Sequence, residues 1–204
     1  MRLVAGIVAV VFVIGGIGCG APTDPTPNRA PPAGADYPAG PYGYGPGTTM
    51  ANLSFLGKES PAATDYTPLS MNAITLADVR KTSKLIFIDG AARWCTPCNQ
   101  DQPAVRAIHD NYADKGVTTM EVLVEGGAIG VTATSDDINR WAASYQLSGI
   151  IAIDPAFALA KYADVTTFPV YIVVRSSTMQ IELLQSEQLA AKPIEPVLDS
   201  LLAQ

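Results

Sequence analysis

The sequence predicts a mixed α/β sandwich, a central sheet with helices on both faces, and three observations carry that prediction. Short apolar runs of strand length alternate with stretches of helical period from Lys84 to Tyr162. Two more apolar runs, parted by the polar turn Arg175-Ser176-Ser177-Thr178, read as an antiparallel hairpin. A helix with one apolar face then closes the chain, and this order of elements suits a three-layer packing around one sheet.

Each element has a local reason. Lys84 to Asp89 is a nearly continuous apolar run, as expected of a strand buried on both faces. The helix after it should run from about Thr96 to Asp114, bent at Pro103 where the ring removes a backbone hydrogen bond, and ended by Lys115-Gly116. Thr118 to Val124 makes the next strand. Thr134-Ser135-Asp136-Asp137 offers a capping box, and Ile138, Trp141, Ala142 and Tyr145 follow at helical spacing. Gly149 to Ile153 is another strand, and Asp154-Pro155 should cap a short helix reaching about Tyr162. Val170 to Val174 and Met179 to Leu184 form the hairpin. Ile194, Val197, Leu198, Leu201 and Leu202 give the face of a last helix beginning near Pro193.

The chain ends read differently. Met1-Arg2, the apolar run Leu3 to Ile14 and the small residues before Cys19 have the layout of an export signal over residues 1–18. It is similar to a bacterial lipoprotein signal, with Cys19 as the acylated first residue, although Gly16 stands where such signals usually carry Leu. An uncleaved membrane span would need roughly 20 apolar residues, more than this run supplies. Residues 19–50 are dominated by Pro, Gly, Ala and Thr, a composition expected of a disordered tether, in which the tyrosines form either solvated linker or a recognition patch. The remainder, 51–204, is the size of one domain. A net charge of −6 argues against nucleic acid as a partner, which calls for a basic stripe.

The chemistry concentrates in Arg93-Trp94-Cys95-Thr96-Pro97-Cys98. Two thiols three apart at a helix start can close and reopen one disulfide, with Cys95 at the cap in non-helical geometry and Cys98 a turn further in and more buried. Pro97 falls in the first turn, where a missing N–H costs nothing. A thiolate at Cys95 would face the positive end of the helix dipole, with Arg93 adding charge, so its pKa should fall below about 8.5. Cys98 would then resolve the mixed disulfide. A purely structural disulfide is disfavoured because so short a loop removes little unfolded-chain entropy. No metal site is expected: zinc wants four ligands, Cys19 is remote, and the single histidine, His109, lies roughly 16 Å along the helix. His109 reads as a surface or packing residue.

With those residues in place the chain resembles the thioredoxin superfamily, and within it the extracytoplasmic TlpA/ResA-like thiol-disulfide oxidoreductases. The resemblance covers roughly residues 69–202 and rests on strand, Trp-Cys-x-x-Cys, helix, Pro103 five residues beyond Cys98, and Thr167-Phe168-Pro169-Val170. Asn72 to Val79 matches the segment leading into the first core strand, and the helix around Trp141 with the strand ending at Asp154 matches an insertion typical of that branch. The resemblance implies a thioredoxin-like sandwich, a cis Pro169 whose flanking backbone pairs with an extended substrate, Phe168 shaping the groove, and Trp94 as a partner-contact platform. Asp89, six residues before Cys95, matches the buried acid of cytosolic thioredoxins and would be the general base for Cys98; otherwise it is a strand-end residue facing solvent. Two departures stand out: Asp101 where cytochrome-maturation members carry Glu, and Ala91 where an aromatic is usual.

The function so implied is thiol-disulfide exchange with exported proteins, needing no cofactor beyond the Cys95–Cys98 disulfide. A membrane or periplasmic redox partner is implied, as is a lipid anchor holding the domain on the periplasmic or outer side. Two alternatives remain at this point. A peroxiredoxin wants Thr three residues before its reactive Cys, where this chain has Ala92. A surface or adaptor lipoprotein would use the fold only for binding.

Overall fold

A computed structural model describes residues 37–60, 71–162 and 167–204. The signal segment, Cys19 and most of the tether therefore lie outside the described residues.

The sheet has seven strands in the order β2-β1-β5-β4-β3-β6-β7. These are β1 (Ser54–Ser60), β2 (Asn72–Thr75), β3 (Leu85–Ala92), β4 (Val117–Glu125), β5 (Gly149–Ile153), β6 (Val170–Arg175) and β7 (Gln180–Gln185). The central β3–β4 and β4–β5 pairs are parallel and the outer pairs antiparallel. All of β3 is buried, Asp89 included, as expected of a nearly continuous apolar run covered from both sides by helices and strap.

Alternation along β3 and β4 sends side chains to opposite faces. Leu85 and Phe87 meet α2 (Thr96–Tyr112) and α4 (Glu195–Leu202) through Val105, Ile108, Tyr112 and Leu198. Ala91 and Leu123 meet α3 (Ser135–Tyr145) through Ile138 and Trp141. Ile86, Ile88, Met120 and Val122 face the other way, against Leu76 and Val79 of the short α1 (Leu76–Val79) and against Tyr37, Met50, Leu159 and Tyr162. Local signals set the helix ends. Thr134 and Asp137 form the reciprocal capping box, and Gly116, at φ 95°, ends the turn after α2 in the left-handed region.

Two expectations change. Residues 37–50 are packed rather than a disordered tether. Tyr37 Oη donates to the Met50 carbonyl, and Met50 is fully buried. The segment also pairs with the β7 edge: Gly47 N–H donates to Ile181 O, Ile181 N–H to Thr48 O, and Met50 N–H to Met179 O. Composition missed this because backbone pairing needs no apolar side chains, and two buried anchors suffice to fix the strap. The short helix after Asp154 is reduced to a single 3-10 turn, Leu159–Lys161. Asp154 does cap, accepting from Leu159 N–H at 2.8 Å, but Phe157 adopts φ 49° and interrupts the helical path.

Candidate active site

Cys95 and Cys98 are joined by a disulfide at the N-terminus of α2. Cys95 is the N-cap in extended geometry, Pro97 lies in the first turn, and Cys98 N–H donates to Cys95 Sγ at 3.1 Å. Thus Cys95 sulfur occupies the place where a cap acceptor normally satisfies an orphan helix N–H, an arrangement that favours negative charge on that sulfur once the disulfide opens. Asn99 Nδ2 fixes the turn by donating to Cys95 O at 2.6 Å, and Tyr145 Oη in turn donates to Asn99 Oδ1 at 2.6 Å. Arg93 is engaged elsewhere: its guanidinium pairs with Asp137 at the start of α3. The sequence reading gave Arg93 to the thiolate; the acidic first turn of α3 takes it instead.

Trp94 and Phe168 both pack against the cluster that contains the two cysteines, and their rings meet edge to face with centroids 6.1 Å apart. Trp94 Nε1 is held by Glu125 Oε2 at 2.7 Å, so the indole has a fixed orientation beside the disulfide. The Phe168–Pro169 peptide is cis, and Pro169 is buried at the start of β6. Gly90 makes room for the Val170 side chain at the start of β6, since a Cβ there would collide with Val170 Cγ1. The structure thus gathers Cys95, Cys98, Trp94 and Phe168 in one cluster, with Pro169 at the end of the strand beside β3.

Asp89 lies beneath them with no exposed surface, rather than at a solvated strand end. Burial pushes its pKa up to about 6, partly offset by hydrogen bonds with Glu121 and Gln102. Gln102 Nε2 donates to Asp89 Oδ2 at 2.9 Å and to Cys98 O at 3.3 Å, linking the carboxyl to the backbone of the inner cysteine. Directly opposite Asp89 on β4 stands Glu121, also buried, with Oε1 accepting from Trp141 Nε1 at 2.7 Å. Its pKa is raised well above the ordinary value, first by burial and then by the neighbouring Asp89 carboxyl.

Sequence reasoning missed Gln102 and Glu121. A glutamate within Met120-Glu121-Val122-Leu123 of a buried parallel strand was the available signal. Asp101, one of the departures, is structural: its Oδ2 accepts from Tyr171 Oη at 2.8 Å and Leu189 N–H at 2.9 Å. His109 is half-buried beside Gly149, and burial lowers its pKa. Among the described residues no cluster of three or more His, Cys, Asp or Glu side chains could hold a metal, and no helix is long and apolar enough to cross a membrane.

Several known proteins are similar to this chain in sequence or in fold. No family model matches the chain. The thiol-disulfide oxidoreductase ResA of Bacillus thuringiensis subsp. konkukian is 26% identical over 133 residues, covering 65% of this chain and 71% of that protein. A crystal structure named as the thiol:disulfide interchange protein DsbE of Chlorobium tepidum superposes with TM-score 0.56 at 17% identity, over 79% of this chain and 99% of that one. The reduced 2-Cys peroxiredoxin of Plasmodium vivax reaches TM-score 0.57 at 11% identity, over 78% and 80%, so fold likeness alone does not separate the two chemistries. Sheet order and the structural likeness give this chain a thioredoxin-like fold, and with the Cys95–Cys98 disulfide and the ResA likeness they make it similar to the ResA-like thiol-disulfide oxidoreductases.

Proposed function

We propose that the protein exchanges disulfides with exported proteins, Cys95 attacking and Cys98 resolving, while lipid on Cys19 holds it at a bacterial membrane. The observation that carries this is the Cys95–Cys98 disulfide at a helix N-terminus above a buried carboxyl. Helix-end N–H groups favour the outer thiolate, and Asp89 takes the proton of the inner thiol. Trp94, Phe168 and the backbone beside Pro169 form the contact surface for an extended substrate segment.

The peroxidase reading is weaker because Ala92 replaces the Thr such sites use, and a pure binding role leaves Asp89 and the dithiol without purpose. Insulin-type disulfide reduction tests the activity. Cys98→Ser should trap substrates as adducts that reducing agent removes, whereas Cys95→Ser traps none. Equal trapping by both variants removes the assignment of roles. Cys19→Ser should release the protein from membranes or block its processing; a processed variant that still sediments with membranes rules out the lipid anchor.

A further inference from the structure

Deepening that reading of the site, we infer that Glu121 is the second half of a proton-holding carboxyl pair: it keeps a proton, shares it with Asp89, and so sets the pH range in which Asp89 can accept the Cys98 proton. Asp89 and Glu121 are register partners on the parallel strands β3 and β4 and point to the same face. Both are buried, and one carboxyl oxygen of each, Asp89 Oδ1 and Glu121 Oε2, has no hydrogen-bond partner among the described residues. Two ionised carboxylates so placed would repel each other with no donor for those oxygens, whereas a proton held between them lets one acid donate to the other.

The surroundings offer donors rather than opposite charge. Gln102 Nε2 from α2 donates to Asp89 and Trp141 Nε1 from α3 to Glu121, while the Tyr145 hydroxyl is spent on Asn99 and the Tyr171 hydroxyl of β6 on Asp101, an acid that also faces the pair from α2. Lys58 lies in the same row of the sheet on β1, with Ile151 of β5 between it and Glu121. The causes that raise the two carboxyls begin with burial, and among the described residues no cation is one of them. Like charges this close cannot both ionise cheaply, so one proton stays on the pair through the neutral range and a second is gained only on acidification.

In the resolving step the Cys98 thiol attacks Cys95 Sγ of the Cys95–substrate disulfide. The Cys95–Cys98 bond forms, the bond to substrate breaks, and the substrate sulfur leaves as thiolate with the electron pair. The Cys98 proton passes to Asp89, taking the pair from one proton to two. Glu121, already protonated, donates the hydrogen bond that keeps Asp89 ionised and ready. It is therefore a positioning residue.

The test uses the full chain in two measurements. In carboxyl-carbon NMR of the oxidised protein, Asp89 and Glu121 should each report both protonation steps, and Glu121→Gln should leave Asp89 a single step near its value of about 6. Independent single-step curves in the unmodified protein would overturn the pair. The second measurement is the pH profile of thiol release from a preformed Cys95 mixed disulfide. Glu121→Gln, still a donor, should keep the acid limb; Glu121→Met, which donates nothing, should move it upward by about one pH unit, with the rate recovered at alkaline pH. An unmoved limb in Glu121→Met, or an equal shift in both variants, rejects the role. Absence of release from the unmodified protein at every pH would instead reject the exchange function, while the NMR result would still decide the pair.

Discussion

A carboxyl with no exposed surface at the end of an apolar strand is expensive to ionise, and Asp89 sits in that position with only Gln102 and Glu121 to offset the cost. Its chemistry and its effect on stability therefore oppose one another. Asp89→Asn keeps the size and the acceptor for Gln102 Nε2 but removes the titrating group. Above pH 7 that change should stabilise the oxidised fold by about 2 to 3 kcal/mol, the equivalent of a pKa held near 6 instead of its ordinary value of 3.8. Resolution should slow on the order of 100-fold near neutral pH, because Cys98 has lost its proton acceptor. Denaturation midpoints and release rates measured on the same variant check both halves. Unchanged turnover would reduce Asp89 to a residue of the core. A second residue-level expectation concerns Trp94, whose indole is held by Glu125 at 2.7 Å. Glu125→Gln retains an acceptor and should leave substrate trapping by Cys98→Ser intact, whereas Trp94→Ala should weaken trapping by about tenfold through lost contact area and an unfixed groove wall. Equal trapping in Trp94→Ala would take Trp94 out of the contact surface.

At the scale of elements, what the sequence made legible was whatever is encoded locally. The first half of β3 follows from the apolar run Leu85 to Ile88, α3 from Thr134 and Asp137 at capping distance, and the N-terminus of α2 from Cys95 and Pro97. The site residues Cys95, Cys98 and Asp89 were readable for the same reason: they lie within ten positions of one another along strand, turn and helix. Glu121 was not, since its meaning depends on the β3–β4 register, a non-local pairing across 32 positions. The strand β1 also escaped notice, because Gly57 and Lys58 break its apolar pattern while the strand is held by pairing with β2 and β5. The strap 37–50 escaped notice most completely. It covers the β7 edge through main-chain bonds and anchors itself with Tyr37 and Met50, which no periodicity announces. A chain beginning at Ala51 should therefore lose about 3 kcal/mol or more from Tyr37 and Met50 burial alone. It should also associate through the bared β7 edge. Chemical denaturation and sedimentation of that truncation against the full chain measure both. An unchanged midpoint would return residues 37–50 to the role of a passive linker.

For the whole molecule, the buried ionisable groups set a pH dependence of stability whose sign can be worked out. Asp89 has a folded pKa of about 6 against an ordinary 3.8, and Glu121 and Asp154 are shifted in the same direction. A carboxyl with a raised folded pKa holds its proton more tightly in the native state, so stability is greatest while it is protonated in both states and falls as pH rises through the window between the two values. For Asp89 that loss runs from about pH 4 to pH 6 and amounts to about 3 kcal/mol. Opposing shifts are smaller. Asp78 and Asp137 have lowered values and contribute stability that is lost only as pH falls below the ordinary carboxylate range, and Asp78 is too exposed for its interactions to escape screening. His109, lowered by burial, favours the native state while neutral and gives that up below pH 6.5, but it is only half-buried. At the alkaline end Tyr112 and Tyr162, both pushed up to about 12 by burial, add a further loss as pH rises past the ordinary phenol value of 10. The oxidised protein should therefore be most stable on the acid side, near pH 4, and its thermal midpoint should rise as pH is lowered from 8 towards that value. Asp89→Asn should flatten part of that slope and Glu121→Gln a further part, whereas a surface change such as Asp136→Asn, at a carboxylate whose side chain is 74% exposed, should leave it in place. Calorimetry across pH 4 to 9 on the four proteins decides it: a midpoint that falls steadily from pH 8 to pH 5, or a slope indifferent to Asp89 and Glu121, would mean that the two carboxyls do not carry a buried proton into the folded state.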